Sequence, residues 1–258
     1  MANAQPGDII ELSGTFNVSD GAINTSNSGS SGSYITIRGT GSGANLNYTA
    51  SAGNAAFGIK HNYYKLENLT INSNSNSNKG LLIEASHGYV TNVTVENTLG
   101  EGFKIRKNSQ YWLLQNCISR YTGKGGKYGE GFYVGDADQN WTTAPNADAS
   151  GYITFLNCTA FDQNDGFDFK EGTHHIKVIG STVDFNNTVP ESTVGDNGLF
   201  IRANNVQVIQ SIVKNNGSSS GKAFRGNKIT SSDSPSTFTE MTWSGEGRGE
   251  QHIITLPI

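Results

Sequence analysis

Acidic and basic residues recur at fixed places around a short glycine-aromatic phrase. In Asn164-Asp165-Gly166-Phe167-Asp168-Phe169-Lys170, Asp168 and Lys170 lie on one side of a short strand and Phe167 and Phe169 on the other. The reason is that side chains alternate along a strand. Asp165 stands at the corner before the glycine. The phrase returns as Lys79-Gly80-Leu81-Leu82-Ile83-Glu84, Glu101-Gly102-Phe103-Lys104-Ile105-Arg106, Glu130-Gly131-Phe132-Tyr133-Val134-Gly135 and Asn197-Gly198-Leu199-Phe200-Ile201-Arg202. A partial copy is Phe57-Gly58-Ile59-Lys60. Aligned on the glycine, the corner column reads Lys79, Glu101, Glu130, Asp165, Asn197. The outward column, expected to face solvent, reads Lys60, Leu82, Lys104, Tyr133, Asp168, Phe200, with Lys60 shifting between columns because its copy is abbreviated. A neighbouring column reads Glu84, Arg106, Gly135, Lys170, Arg202, and Arg225 is expected to continue it. Acids therefore gather at Glu130, Asp165 and Asp168, and cations line up beside them.

Carboxylates stacked one repeat apart repel one another unless a cation or a proton relieves them. Hard oxygen donors at that spacing suit calcium, Ca2+. Adjacent cations suit an acidic sugar polymer lying along the groove. On this reading Lys104, Arg106 and Arg225 contact the polymer, and Tyr133 and Phe200 offer apolar faces to its rings. His175, beside His174 at a turn, is a further contact. Asp136 and Asp138 are expected to complete a cation site. The bland alternative for any one of these residues is a solvated charge ladder with local salt bridges.

Positioning such columns requires a repeat architecture. Second strands accompany the phrase at Tyr64-Lys-Leu-Glu-Asn-Leu-Thr-Ile71, Gly88-Tyr-Val-Thr-Asn-Val-Thr-Val95, Trp112-Leu-Leu-Gln-Asn-Cys-Ile-Ser119 and Ile153-Thr-Phe-Leu-Asn-Cys-Thr-Ala160. They continue at Ile176-Lys-Val-Ile-Gly-Ser-Thr-Val183 and Val206-Gln-Val-Ile-Gln-Ser-Ile-Val213. Asn68, Asn92 and Asn116 recur every 24 residues, which fits one rung of a parallel β-solenoid. Stacking rungs about 4.8 Å apart turns Asn68, Asn92, Asn116 and Asn157 into an amide ladder at a bend, and these sequons are read as structural rather than as glycosylation sites. Surplus residues fall in 121–128, 136–150 and 187–196. All flank the glycine-aromatic strands, where insertions wall a cleft. The expected fold is all-β: a single right-handed parallel β-helix with a cleft on one face. Residues 1–56 form N-terminal coils and a cap, 57–230 the regular rungs, and 231–258 a C-terminal cap or tail over an otherwise open sheet edge. Cys117 and Cys158 share a column, close enough for a disulfide, with stacked buried thiols the plainer expectation.

Composition narrows the function. A net charge of −4 with no Lys/Arg block argues against nucleic acid. No apolar run is long enough to cross a membrane. Met1–Pro6 has no apolar signal core, so the expectation is an initiating methionine on the processed form of a secreted, monomeric chain.

With these residues in place, the chain resembles the parallel β-helix polysaccharide lyases, in motif the family 9 pectate lyases. Pro6-Gly-Asp-Ile-Ile-Glu-Leu12 is similar to the usual opening of such chains. Asn164-Asp165-Gly166-Phe167-Asp168 resembles that family's Asp-Asp-Gly-Trp-Asp calcium motif, and Glu130-Gly131-Phe132 its Asp-Gly-Phe. The resemblance implies Ca2+ at Glu130, Asp165 and Asp168, and β-elimination on a uronate such as pectate. Two positions depart from the family: Asn164 replaces an acid, and Asn197-Gly198-Leu199 leads to Phe200 where the family carries its catalytic lysine. The base then falls to Lys170 or Arg202. Two rivals keep the scaffold: a non-catalytic binder of acidic polysaccharide, and a glycoside hydrolase using Glu130 and Asp168. An ice-binding surface is disfavoured by the charged, bulky columns.

Overall fold

Inward positions of each glycine-aromatic strand are Phe, Leu, Ile or Val, and successive coils stack so that these positions fall over one another. The computed structural model describes residues 3–126, 129–136, 148–161, 164–185, 197–214, 222–226 and 236–243. They form a right-handed parallel β-helix without helices. One face is an eight-stranded parallel sheet. Its strands, in spatial and chain order alike, are Ile23–Asn24, Gly53–Ile59, Ser77–Ile83, Phe103–Ile105, Phe132–Val134, Phe167–Phe169, Asn197–Ile201 and Lys222–Gly226. The core behind it is an aromatic column. Phe103 stacks on Phe132 and Phe132 on Phe167, both at 4.8 Å between centroids, and Phe155 meets Phe132 and Phe167 edge-on at 5.4 Å.

The glycine of the phrase is required by how closely this strand approaches the opposite wall. A Cβ on Gly166 would lie 2.4 Å from Val183 Cγ2 and 2.5 Å from the Gly198 carbonyl oxygen. The equivalent glycines meet Val95, Ser119, Ala160 and Val213 in the same way. The glycine thus lets the coil close, and the residue before it becomes the corner.

The remaining wall is a 14-stranded sheet bent at the asparagine column. Asn68, Asn92, Asn116 and Asn157 adopt φ of 52–55°, left-handed backbone that asparagine tolerates better than most residues. The bend flips the alternation: Tyr64 and Leu66 are buried before it, Leu69 and Ile71 after it. Asn92 Nδ2 donates to Asn68 Oδ1 at 3.0 Å and Asn116 Nδ2 to Asn92 Oδ1 at 3.1 Å, so the amide ladder forms over Asn68, Asn92 and Asn116 and stops short of Asn157. Gly180, Gln210 and Glu240 continue the left-handed column. Cys117 and Cys158 are free, buried thiols whose Sγ atoms donate to the Val90 and Leu114 carbonyls.

Residues 237–243 extend the stack. Thr237–Thr239 pairs in parallel with Asn204–Ile209, and Thr242–Trp243 with Ile212–Lys214. The rest of the expected C-terminal cap, 231–235 and 244–258, lies outside the described residues. So do most of the expected cleft walls: 127–128, 137–147 with Asp138, and 187–196.

Candidate functional site

Three backbone registers assemble the site on the eight-stranded face. Gly102, Gly131 and Gly166 donate to the carbonyls of Glu130, Asp165 and Asn197 at 2.9, 2.8 and 3.0 Å, which stacks the corner residues. Lys104 pairs with Tyr133, Tyr133 with Asp168 and Asp168 with Phe200 at the strand centres. Gly135, Lys170 and Arg202 donate to the carbonyls of Ile105, Val134 and Phe169 and form the third column beside Arg106. Two expected memberships are corrected. Gly58, not Lys60, pairs with Leu82 at the strand centre. Arg225 pairs with Phe200, so its backbone continues the Asp168 column rather than the Arg106–Lys170–Arg202 column; its side chain lies outside the described atoms.

The face points away from the core, yet it is not a solvated surface, which corrects the expectation of solvent-facing columns. Asp168 is 1% exposed, and Glu130, Asp165, Lys104 and Lys170 are 6% each. Long side chains on adjacent rungs cover one another, and opposite charges interleave so that most are paired. Asp168 is the hub. Lys170 Nζ donates to its Oδ2, and Arg202 Nη2 donates to both of its oxygens at 2.8 and 3.1 Å. Arg202 also reaches Glu171 at 3.1 Å and lies 4.2 Å from the Phe200 ring centroid. Burial works against the Arg202 charge, but Asp168 and Glu171 outweigh it and hold the guanidinium above its ordinary range.

Glu130, Asp165 and Asp168 present carboxylate oxygens that all lie within 4.8 Å of one another. Among the described residues no ion pair reaches Glu130 or Asp165. Asp165 Oδ1 accepts from Asn197 N and Nδ2 at 2.6 and 3.0 Å, and Glu130 Oε2 accepts from Gly129 N at 3.2 Å. Burial, with the Asp168 charge second, pushes Glu130 up to about 7 and Asp165 up to about 8. Like charges gathered out of water take up protons or a cation. The trio offers hard oxygens of the kind a calcium ion prefers, and fewer than the six to eight it takes. The donor set therefore fits such an ion with water or a ligand carboxylate supplying the rest.

Tyr133 is covered rather than offered as an open platform. Lys104 Nζ lies 4.1 Å and Lys170 Nζ 4.4 Å from its ring centroid. Burial, followed by Asp168 and Glu130, raises its phenol well above the ordinary value, so the hydroxyl keeps its proton. His175 is not beside the carboxylates. It stacks on Tyr152 at 4.6 Å and shares a 3.0 Å contact between its Nδ1 and that of His174. It ends a ring ladder that runs Tyr63, His87, Tyr111, Tyr152, His175, with centroids 4.6 to 5.0 Å apart, half-buried at its first two rings and exposed at the last three. Asp136 is likewise corrected: it does not join the acidic trio but bridges Lys104 and Arg106 at 3.1 and 3.3 Å. Glu171, which pairs with Arg202, is a member of the Asp168 cluster that the sequence alone does not single out. Its signal is an acid directly after Lys170, and its Oε2 is buried without a hydrogen-bond partner, as is Arg202 Nε.

No family model matches the chain, and no curated protein matches it in sequence. Solved structures do match it in fold. An alginate lyase from Paenibacillus sp. strain FPU-7 superposes with a TM-score of 0.78 over 93% of this chain and 81% of that one, at 24% identity. The pectate lyase Pel9A gives 0.69 over 95% of this chain and 70% of its own, at 15% identity. A rhamnogalacturonan lyase gives 0.61 over 98% and 78%, at 12% identity. The chain has the pectate-lyase-like parallel β-helix fold.

Proposed function

We propose that the protein is a secreted polysaccharide lyase that cleaves a uronate-containing polymer by β-elimination on its eight-stranded face. The observation that carries this reading is the meeting of three buried carboxylates, within 4.8 Å of one another, with a lysine and an arginine that share one of them, Asp168. Elimination needs the substrate carboxylate neutralised so that the C5 proton becomes acidic, a base to take that proton, and a donor for the leaving oxygen. Arg202 supplies fixed positive charge beside Asp168. Its raised pKa suits charge neutralisation and disqualifies it as the base, so that role goes to Lys170. Tyr133, in contact with Lys170 and holding its proton, is assigned the transfer to the leaving oxygen. Glu130, Asp165 and Asp168 would hold the calcium ion; when bound, it withdraws electron density from the substrate carboxylate.

The fold of alginate, pectate and rhamnogalacturonan lyases supports this class of substrate without specifying the polymer. Inverting hydrolysis alone is weakened by geometry: Glu130 and Asp168 bring oxygens within 4.8 Å, short of the roughly 6.5–9.5 Å that inversion uses. The binder alternative retains one favourable observation, that both Lys170 and Arg202 are engaged by Asp168. The test is incubation with alginate, polygalacturonate and glucuronan, with and without calcium, followed by the ultraviolet absorbance of unsaturated uronate. A rise on one polymer is expected. Flat traces with retained binding would assign the protein as a binder, and new reducing ends without absorbance as a hydrolase.

A further inference from the structure

One exposed anion on the site face sits where a substrate anion would go. Lys104 and Arg106 are two residues apart at the end of one strand and therefore project to the same side. Their heads converge on Asp136: Lys104 Nζ is 3.1 Å from Oδ1, and Arg106 Nη1 is 3.3 Å from Oδ1 and 3.5 Å from Oδ2. Both cations already have buried partners. Lys104 reaches Glu101 at 3.0 Å, and Arg106 reaches Glu84 at 2.7 Å. The same two glutamates serve Lys79 at 3.6 Å and Lys107 at 3.0 Å. Four cations thus share two buried carboxylates, and Asp136 offsets part of the remaining positive charge. The side chain of Asp136 is 42% exposed, against 8% for Lys104 and 22% for Arg106. The cations are built in, and the anion is the accessible member.

Backbone geometry allows Asp136 to leave. It follows Gly135, whose φ of 93° is open to glycine and strained for other residues. The rung hydrogen bond at this point, from Gly135 N to Ile105 O at 2.7 Å, is made before Asp136 begins. Among the described residues, displacing the carboxylate breaks no ladder contact of its own.

We propose that Lys104 and Arg106 form a second carboxylate subsite, and that Asp136 is a built-in counter-ion which an incoming uronate displaces. This rests on the uronate-polymer reading given above and deepens it. The subsite lies two strands from Asp168, about 9.6 Å along the helix axis. It would hold a sugar carboxylate on the earlier-rung side of the unit bound at the acidic trio. Asp136 lowers affinity for uronates and leaves the chemical step untouched.

The test compares wild type, Asp136→Asn and Asp136→Glu for binding of defined alginate and galacturonate oligomers, with a neutral xylo-oligomer as control. Turnover and melting temperature are measured in parallel. Removing a competing, partly exposed carboxylate should tighten uronate binding by about three- to fivefold at low salt. The gain should shrink as salt screens the site and vanish in the Asp136→Asn/Lys104→Ala double variant. KM should fall while kcat and melting temperature hold, and Asp136→Glu should behave as wild type. If wild type binds uronates and Asp136→Asn binds them equally or more weakly, the counter-ion proposal is overturned while the lyase reading stands. Failure of every variant to bind any uronate oligomer overturns both.

Discussion

Lys170 and Asp168 lie two positions apart on the Phe167–Phe169 rung, and the lysine ammonium donates directly to an Asp168 oxygen in a setting almost closed to water. Arg202, one rung later, holds the same carboxylate. One acid therefore links the proposed base, the proposed charge neutraliser and the proposed cation site. A change at Asp168 should disturb all three functions together, whereas changes at its partners should separate them.

Lys170→Ala should lower kcat by about 10^3-fold or more, since a positioned base contributes 10^2 to 10^4. Binding of an oligouronide should persist. Arg202→Ala should raise KM and keep measurable turnover, because fixed charge rather than proton transfer is lost. Steady-state kinetics on both variants reads the split; equal losses of kcat in the two would reject the division of labour.

Cation-free protein should lose stability as pH rises. Glu130 and Asp165 have folded-state values of about 7 and about 8, both raised by burial first, against roughly 4 in an unfolded chain. A carboxyl whose folded value is raised contributes its full stability below the unfolded value and loses it as pH climbs through the folded one. The melting temperature of chelator-treated protein should therefore fall between about pH 4 and pH 8 and level off above that. Added calcium should restore it, most strongly at the alkaline end where the ligands are ionised. A melting temperature unchanged by calcium at pH 9 would argue against the trio as a cation site.

Gly166→Ala should destabilise the fold by about 1–3 kcal/mol, the cost of overpacking. Its Cβ would lie 2.4 Å from Val183 Cγ2 and 2.5 Å from a backbone oxygen, and only the first neighbour is a side chain. Because Asp165 precedes this glycine, activity should fall further than stability alone requires. Denaturant titration beside an activity assay measures both.

Asn92→Gly should be nearly neutral and Asn92→Ala should cost about 1–2 kcal/mol, the penalty for left-handed backbone in a residue with a Cβ and no compensating amide. The position is exposed and its φ is 53°, so burial does not confound the comparison. Equal melting temperatures for the two variants would show that the bend does not depend on asparagine.

The periodic columns were readable from the sequence because rung stacking converts spacing into adjacency. Glu130, Asp165 and Asp168 could be grouped by counting from the glycine, and the asparagine ladder by its 24-residue interval. Counting failed where the glycine was not the corner one. In Phe57-Gly58-Ile59 the residue aligned with the repeat glycine is Ala56, since Phe57 pairs with Leu81, and in the last copy it is Ala223, since Phe224 pairs with Leu199. Lys60 and Arg225 consequently shifted column. Burial of the outward face was not legible either. Alternation tells which side a side chain leaves the strand, but Lys104, Tyr133 and Lys170 become covered only through contacts between separate rungs. The roles of Asp136 and Glu171 depend on where a turn carries a carboxylate back over the face, which no spacing records.

Product mass from a defined oligouronide tests the central claim most directly. Elimination adds no water, so the masses of the two products should sum to that of the substrate, with the new end unsaturated, for wild type and not for Lys170→Ala. Products whose summed mass exceeds the substrate by one water, or turnover undiminished in Lys170→Ala, would contradict the account.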